Sequence, residues 1–194
     1  LYERAQIQAG ETVLIHAGGG GVGHVATQLA KSRGCRVLTT AGREQTIDLS
    51  RSLGADVVID YTQDDFTDQV KHETAGQGCA VVFDCVGGEV FDRSLGCVAV
   101  NGRMLTIVGT GSVDALRKLF VRNASLHFEF MGAPTIYGIR PQKQGRILRA
   151  AAALVDRGQL RVHVSRTLDL PDLAEGHRLQ ETGHVTGKIA VRVR

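Results

Sequence analysis

The hydrophobic pattern of this chain alternates, from Gly10 onward, between short β-rich apolar runs and longer amphipathic stretches. Continuous apolar runs are typical of strands buried on both faces, and the 3.6-residue periodicity between them is typical of covering helices. Six strands are predicted, at residues 12–16, 36–40, 56–59, 79–84, 103–108 and 125–130. This order predicts an α/β fold, a doubly wound parallel sheet of six strands in the order 3-2-1-4-5-6.

Four amphipathic stretches predict helices that end near a glycine, as helices usually do. They are Val22–Ser32, Gln45–Leu53, Asp65–Thr74 and Gln142–Arg157. The apolar stripe of the last helix is interpreted as core packing. After Gly158 the pattern changes to a short strand near 167–168, a helix that begins at Pro171 and a strand at 188–193. The chain is therefore divided into a unit of residues 1–158 and a C-terminal segment of residues 159–194.

Composition narrows the class of partner. With 194 residues, of which 43% are hydrophobic, the chain is long enough for one full core. Its 23 basic and 20 acidic residues are interspersed and leave a net charge of +3, which gives no argument for a nucleic acid or an anionic membrane as partner. No apolar stretch approaches the ~18 residues that span a bilayer. The partner expected is a small molecule.

The cysteines and histidines predict neither a metal site nor a disulfide framework. The four cysteines form no C-x-x-C pair and mostly lie in apolar runs, and the seven histidines show no metal-ligand spacing. Free cysteines of this kind are typical of a reducing cytoplasm. We expect no metal-binding residue in this chain.

The glycine cluster is the strongest chemical signal, in VLIHAGGGGVGHVATQL at residues 13–29. In the spacing G-x-G-x-x-G, Gly18 permits the tight turn, Gly20 lets phosphates approach the backbone, and Gly23 lets helix and strand pack closely. A glycine-rich loop that binds nothing is the alternative. The strand before and the helix after favour the dinucleotide-binding turn of a Rossmann fold, whose helix N–H groups face the diphosphate. The predicted contacts are Gly18, Gly20, Gly21, Val22 and Gly23.

Several ordered segments make the chain resemble the cofactor domain of the medium-chain dehydrogenase/reductase superfamily, in its zinc-independent quinone oxidoreductase (zeta-crystallin-like) branch. They are AGETVLIHAGGGGVG, LAKSRGCRV, LTTAGREQ, LGADVVIDY, VVFDCVGG, GRMLTIVGTGS and GKIAV. The resemblance implies that a GroES-like catalytic domain precedes this chain and that the C-terminal segment folds back onto it. Residue 1 is Leu rather than Met, so we expect a fragment, and the resemblance implies that its catalytic residues lie in the missing domain.

The end of the second strand predicts NADPH rather than NADH. A carboxylate there would bind the ribose 2′-hydroxyl and repel a 2′-phosphate, but the position that is Asp in the NAD-dependent branch falls on Ala41. Gly42 leaves room for the phosphate, and Arg43 offers it a planar set of donors. The resemblance implies that Tyr61 also helps to bind it, whereas the lysine usual in that branch is Thr46 here. The alternatives are an exposed loop arginine and a half-buried tyrosine at a strand end.

The resemblance implies that the ends of strands four and five border the adenosine ribose, the nicotinamide ribose and the nicotinamide ring. Open α/β sheets bind ligands at the carboxyl ends of their strands, where the winding direction reverses. On the resemblance, Cys85, Val86, Val108 and Gly109 are carried over as cofactor contacts. No histidine is spaced to act as a base for Cys85, so a small apolar contact is favoured over a nucleophile.

The sixth strand, at residues 125–130, is predicted to lie at the edge of the sheet. Leu126, Phe128 and Phe130 fall on one face of it. An exposed edge strand favours pairing with a second copy, and the resembled family often dimerises through this edge. Coverage by the missing domain or by a loop is the alternative.

Three functions are compatible with these features. The first is the cofactor-binding part of an NADPH-dependent oxidoreductase that transfers hydride to a quinone, enone or related carbonyl substrate and is inactive without its catalytic domain. The second is the enoyl reductase portion of a polyketide or fatty-acid synthase. The third is a non-catalytic NADPH-binding module, because fold does not fix function.

Overall fold

The computed structural model describes residues 1–109, 111–139 and 142–193, and its main element is a six-stranded parallel sheet. The strand order is β3-β2-β1-β4-β5-β6, which confirms the predicted topology. All five neighbouring pairs run parallel. The strands are β1 (Thr12–Ile15), β2 (Arg36–Ala41), β3 (Val57–Asp60), β4 (Cys79–Asp84), β5 (Val98–Thr106) and β6 (Ser125–Phe128).

The predicted helices of this unit are all present, with ends that differ by one residue at most. They are α1 (Gly23–Ser32), α2 (Glu44–Ser52), α3 (Phe66–Glu73) and α7 (Gln142–Asp156). Three further helices, α4 (Gly88–Ser94), α5 (Arg117–Phe120) and α6 (Ala133–Ile136), were not predicted, because stretches of four to seven residues are too short to show a helical period. Among the described residues, no helix has the length and apolar character to span a bilayer.

The core lies on both faces of the sheet, as the continuous apolar runs predict. Along β1 the side chains alternate, so that Val13 and Ile15 pack with α1 on one face while Leu14 packs on the other. Phe66 of α3 and Phe91 of α4 fill that second face. The sheet is thus covered from both sides at its centre, where β1 and β4 meet.

The fifth strand is longer than predicted. It begins at Val98 instead of residue 103, and its pairing with β4 shifts register between Cys79 and Val81. Asn101 has a positive φ of 59° within it. Asn101 and Gly102 therefore form an irregularity inside β5. The hydrophobic pattern predicts instead a strand that begins after these two residues.

The C-terminal segment contains β7 (Val164–Asp169), α8 (Leu173–Glu181) and β8 (Lys188–Arg192). The two strands pair in parallel with each other and form a separate two-stranded sheet. The predicted elements are present, and the first strand is longer than the two residues predicted. Two parallel strands are too few to bury a core of their own.

The apolar stripe of α7 is not core packing, contrary to the prediction. No residue of this helix is buried, and Ile147 and Leu148 are 48% and 68% exposed. The described residues leave this face uncovered. Periodicity identifies the apolar face of a helix but carries no information on which element covers it.

A buried histidine connects three elements directly beneath the glycine turn. His16 ends the apolar run of β1, with its Nδ1 3.2 Å from Thr40 Oγ1 in β2 and its Nε2 2.7 Å from Ser94 Oγ in α4. Ala17 N–H donates to Thr40 Oγ1, and Ser94 donates to Val90 O. Each of these side chains has its hydrogen-bonding groups paired if His16 Nε2–H donates to Ser94 Oγ and His16 Nδ1 accepts from the Thr40 hydroxyl. Burial lowers the pKa of His16 from 6.5 to about 4.

This network predicts a defined pH dependence of stability. Between pH 6.5 and about 4, unfolding lets His16 take up a proton that the folded chain excludes, so the free energy of unfolding falls as the pH falls through this window. Across this window His16 lowers the free energy of unfolding by about 3 kcal/mol in total. Above pH 6.5 its contribution does not change with pH.

Urea denaturation at a series of pH values measures this effect, with His16→Leu as the comparison. The variant is less stable at pH 7 but loses less additional stability on acidification. Parallel pH profiles for the two proteins would contradict the assignment.

Candidate cofactor-binding site

The glycine turn after β1 is shaped by close contacts at two of its glycines. A Cβ on Gly18 would overlap the Thr39 side chain, and a Cβ on Gly23 would overlap Ala17 O. The positive φ of the turn falls on Ala17, at 54°, so Gly18 is required for close packing and not for a left-handed backbone. Without a side chain at Gly23, α1 begins directly beside the end of β1.

The start of α1 presents backbone donors that no protein group uses. Val22 precedes the helix and makes no side-chain capping bond, whereas Gly20 N–H is satisfied by Ala17 O at 2.8 Å. In the described part of the chain, the N–H groups of Gly21, Val22 and Gly23 have no recorded protein acceptor. Free N–H groups and the positive end of the helix dipole together favour an anion at this point.

A lysine from the C-terminal segment lies at the same place. A Cβ built on Gly21 would be 3.0 Å from Lys188 Nζ, and Gly187 N–H donates to Gly19 O at 2.8 Å. Within residues 1–109, 111–139 and 142–193, no carboxylate forms an ion pair with Lys188. Sequence reasoning missed this residue, because 165 positions separate Lys188 from Gly23 and no local motif links them.

A cleft of about 320 Å³ continues from the turn toward the ends of β2 and β3. Its described lining contains no carboxylate, and its basic side chains are Arg43 and His184. Tyr61, which is 59% exposed, lies across Gly42, where a Cβ would overlap the tyrosine ring. A larger cleft, of about 710 Å³ between α2 and the β7/β8 pair, shares His184 and Val185 with this one but lies away from the glycine turn.

Arg43 is held at the mouth of the cleft by the start of α2. It is the residue before the helix, and Thr46 Oγ1 accepts from Arg43 N–H at 3.3 Å and donates to Arg43 O at 2.8 Å. No ion pair of Arg43 occurs among the described residues, and Glu44 is exposed. Thr46, at the position where the resembled branch has lysine, therefore fixes the backbone of the arginine.

The ends of β4 and β5 are joined by a buried carboxylate. Asp84 is fully buried, and its two oxygens accept from the N–H groups of Val86 and Gly87, at 3.0 and 2.9 Å, and from Thr106 Oγ1 at 2.8 Å. A Cβ on Gly87 would lie 3.0 Å from Val108 Cγ1. Asp84 thus fixes both loops in contact with each other. This role of Asp84 was not predicted, since an Asp at the end of a strand does not by itself indicate which groups its carboxylate binds.

Cys85 lies at the same edge and is only partly accessible. Burial, together with the negative charge of the neighbouring Asp84, raises the pKa of its thiol to about 12. A thiol in that state is a poor nucleophile at neutral pH, in agreement with the preference for an apolar contact.

The structure places the predicted site residues along one edge of the sheet, in two groups on either side of β1. The glycine turn, Gly42, Arg43 and Tyr61 form the first group around the cleft, and Cys85, Val86, Val108 and Gly109 form the second. Val86 and Val108 are half-exposed there. This arrangement offers an anion site at the centre of an elongated surface. Among the described residues, no three His, Cys, Asp or Glu side chains are grouped so as to hold a metal ion.

Comparison with known proteins gives a family match and related structures. The family model of zinc-binding dehydrogenases matches residues 53–191. The chain is 30% identical over 191 residues to a quinone oxidoreductase of Pseudomonas aeruginosa, covering 96% of this chain and 58% of that protein. It is 31% identical over 195 residues to the phthioceranic/hydroxyphthioceranic acid synthase of Mycobacterium tuberculosis, covering all of this chain and 9% of the synthase.

Two solved structures are similar along almost the whole chain. An alcohol dehydrogenase superfamily protein from Novosphingobium aromaticivorans has a TM-score of 0.89 and 36% identity, with 99% of this chain and 58% of that one covered. The Escherichia coli quinone oxidoreductase complexed with NADPH has a TM-score of 0.86 and 25% identity, with 99% and 60% covered. The chain therefore spans little more than half of these proteins.

Proposed function

The chain belongs to the zinc-binding dehydrogenase family, and from this we propose that it is the cofactor-binding part of an NADPH-dependent oxidoreductase. Its relatives place it in the medium-chain dehydrogenase/reductase superfamily, with quinone oxidoreductases among its homologues. The observation that carries the proposal is the cleft beside the glycine turn, which contains Arg43 and, among its described residues, no carboxylate.

The diphosphate of NADPH fits the turn at the start of α1. The N–H groups of Gly21, Val22 and Gly23 would donate to its oxygens, and Lys188 Nζ would supply a full positive charge beside Gly21. The close packing at Gly18 and Gly23 keeps this surface free of side chains. We therefore propose the predicted contacts from Gly18 to Gly23 as the diphosphate site.

The 2′-phosphate of the adenosine ribose fits the cleft between β2 and β3. Arg43 would bind it through a planar pair of N–H donors, and the Tyr61 hydroxyl would add a further contact. A carboxylate at Ala41 or Gly42 would repel this phosphate, and the chain has none there. The E. coli quinone oxidoreductase of similar structure holds NADPH.

The nicotinamide half would extend along the ends of β4 and β5, against Cys85, Val86, Val108 and Gly109. NADPH, when bound, supplies a hydride from C4 of its nicotinamide ring. This chain binds and orients the cofactor, and we propose that a separate domain, onto which the segment 159–194 folds, completes the site around the substrate. The exposed stripe of α7 gives that domain an apolar surface to cover.

The fully reduced cysteines and the mixed surface charge support a cytoplasmic protein with a small-molecule substrate. Cys35, Cys79, Cys85 and Cys97 are all free thiols. The basic and acidic residues are interspersed along the sequence, which gives no argument for a nucleic acid as partner.

Replacing Arg43 tests the assignment of the 2′-phosphate. Arg43→Ala removes a charge-assisted contact and should weaken NADPH binding by about tenfold or more, because such contacts contribute roughly 1.5–3 kcal/mol. NADH, which lacks the phosphate, should bind with unchanged affinity. Calorimetric titration of the chain with both cofactors gives the two dissociation constants.

The matched control is Arg51→Ala, which removes an exposed arginine at the other end of α2. It should leave both affinities unchanged. An equal loss of NADPH and NADH affinity in Arg43→Ala would contradict the phosphate assignment.

A second candidate function, the enoyl reductase portion of a polyketide or fatty-acid synthase, is supported by the 31% identity to the mycobacterial synthase. NADPH oxidation by the whole protein with quinones, enones and 2-enoyl thioesters distinguishes the candidates. We expect turnover with a quinone or enone, and none by the 194-residue chain alone. Turnover restricted to enoyl thioesters favours the synthase, whereas no turnover with any acceptor favours a non-catalytic module.

We also propose a homodimer formed through the edge strand β6, which ends at Phe128, two residues before the predicted end of 125–130. β6 pairs with β5 on one side; Phe128 at its end and Phe130 just after it are 52% and 64% exposed. A second strand paired to this edge would satisfy its free backbone groups and cover both rings.

Light scattering on the purified chain tests the dimer. The wild type should have about twice the monomer mass of 20.8 kDa, and Phe128→Lys, which places a charge on the edge, should be monomeric. Val100→Lys, at an exposed position near the start of β5, should remain dimeric. A monomeric wild type would overturn this proposal.

A further inference from the structure

His24 is a fully buried side chain at the second position of α1 that has no part in the site described so far. Its Nδ1 lies 2.7 Å from Gly20 O, and its Nε2 lies 3.3 Å from the backbone nitrogen of His163. A backbone N–H can only donate, so Nε2 accepts and Nδ1 carries the proton that is donated to Gly20 O. His24 therefore links the glycine turn to the residue that precedes β7.

The contacts beyond His163 lead back to the same turn. Lys188 N–H donates to His163 O at 2.9 Å, and Gly187 N–H donates to Gly19 O at 2.8 Å. The Lys188 side chain then extends over Gly21. The glycine turn, His24, His163 and the start of β8 thus form a closed circuit of hydrogen bonds with the ammonium group at its end.

From this circuit we propose that His24 is a positioning residue for the cofactor: by joining Gly20 to His163, it holds the Lys188 ammonium against the diphosphate site. This inference rests on the proposed function, because it assigns the task to the same cofactor site. His24 itself is fully buried and is not one of the proposed cofactor contacts.

The link requires a neutral imidazole, because a protonated Nε2 could not accept from His163 N–H. Burial lowers the pKa of His24 below its ordinary value of 6.5; the bond to Gly20 opposes this shift, and the positive charge of Lys188 adds to it. The imidazole is thus kept in the form that can donate at one nitrogen and accept at the other.

Gln28, one turn further along α1, supplies a matched comparison. Its amide nitrogen donates to Arg161 O and its amide oxygen accepts from Arg161 N–H, both at 2.9 Å. Gln28 therefore anchors the same stretch of chain without touching the glycine turn. If the only task of His24 were to hold that stretch, the two residues would be equivalent.

The experiment measures dissociation constants of the 194-residue chain for NADPH and for adenosine 2′-monophosphate, which reaches the Arg43 cleft but has no diphosphate. His24→Phe keeps a ring of similar size and removes both hydrogen bonds. It should weaken NADPH about tenfold and leave adenosine 2′-monophosphate unchanged. Gln28→Ala should change either constant by less than about twofold.

A double-mutant cycle tests whether His24 acts through the lysine. In a Lys188→Ala background, His24→Phe should cause no further loss of NADPH affinity, because the group that it positions is gone. Full additivity of the two losses would overturn the inference. So would a parallel loss of both ligands, or equal effects of His24→Phe and Gln28→Ala.

His24→Asn provides a second variant if His24→Phe does not fold. Its amide can replace Nδ1 as a donor to Gly20 O but is too short to reach His163. NADPH affinity should fall as in His24→Phe, and wild-type affinity would overturn the inference. Failure of the wild-type chain to bind NADPH would instead refute the proposed function, whereas wild-type binding without a selective loss in the variants refutes only the role of His24.

Discussion

The contact between Gly23 and Ala17 O is the constraint from which the site follows. Because no Cβ stands between them, α1 begins immediately beside the end of β1. Among the described residues, this closeness leaves the N–H groups of Gly21, Val22 and the buried Gly23 without protein acceptors. With a side chain at position 23, the helix would be displaced and the donors would no longer converge. The proposed anion site is therefore a direct result of close packing between α1 and β1.

The parallel sheet extends this single point into a long surface. Because all six strands point the same way, the residues that follow β2, β3, β4 and β5 reach the edge where the turn lies. Arg43 and Tyr61 come to one side of β1, and the loops fixed by Asp84 come to the other. His16, which is buried under the turn, joins the end of β1 to β2 and α4 by hydrogen bonds. These bonds hold the ends of β1 and β2 and the helix α4 in fixed positions relative to one another.

Much of this arrangement could be predicted from local patterns, because strand, turn and helix at residues 12–32 are encoded by adjacent residues. The topology follows from the alternation of apolar runs with amphipathic stretches. The ends of α1, α2 and α3 could be predicted because each helix is long enough to show a hydrophobic period. The helices α4, α5 and α6 are too short to show a period, and the irregularity at Asn101 depends on the pairing with β4. For α7 the pattern predicted the helix and its apolar face correctly, but not which element covers that face.

The contribution of the C-terminal segment could not be predicted, because it depends on contacts between residues far apart in the chain. No feature of the sequence relates Lys188 to Gly21, and nothing in the sequence around His24 indicates a contact outside its own helix. The two are connected only because His163 donates to the imidazole and accepts from the backbone of Lys188. A lysine side chain has many rotamers, and its charge is useful to a diphosphate only where the backbone places it. The backbone of β8 thus places the Lys188 ammonium group at the proposed diphosphate site.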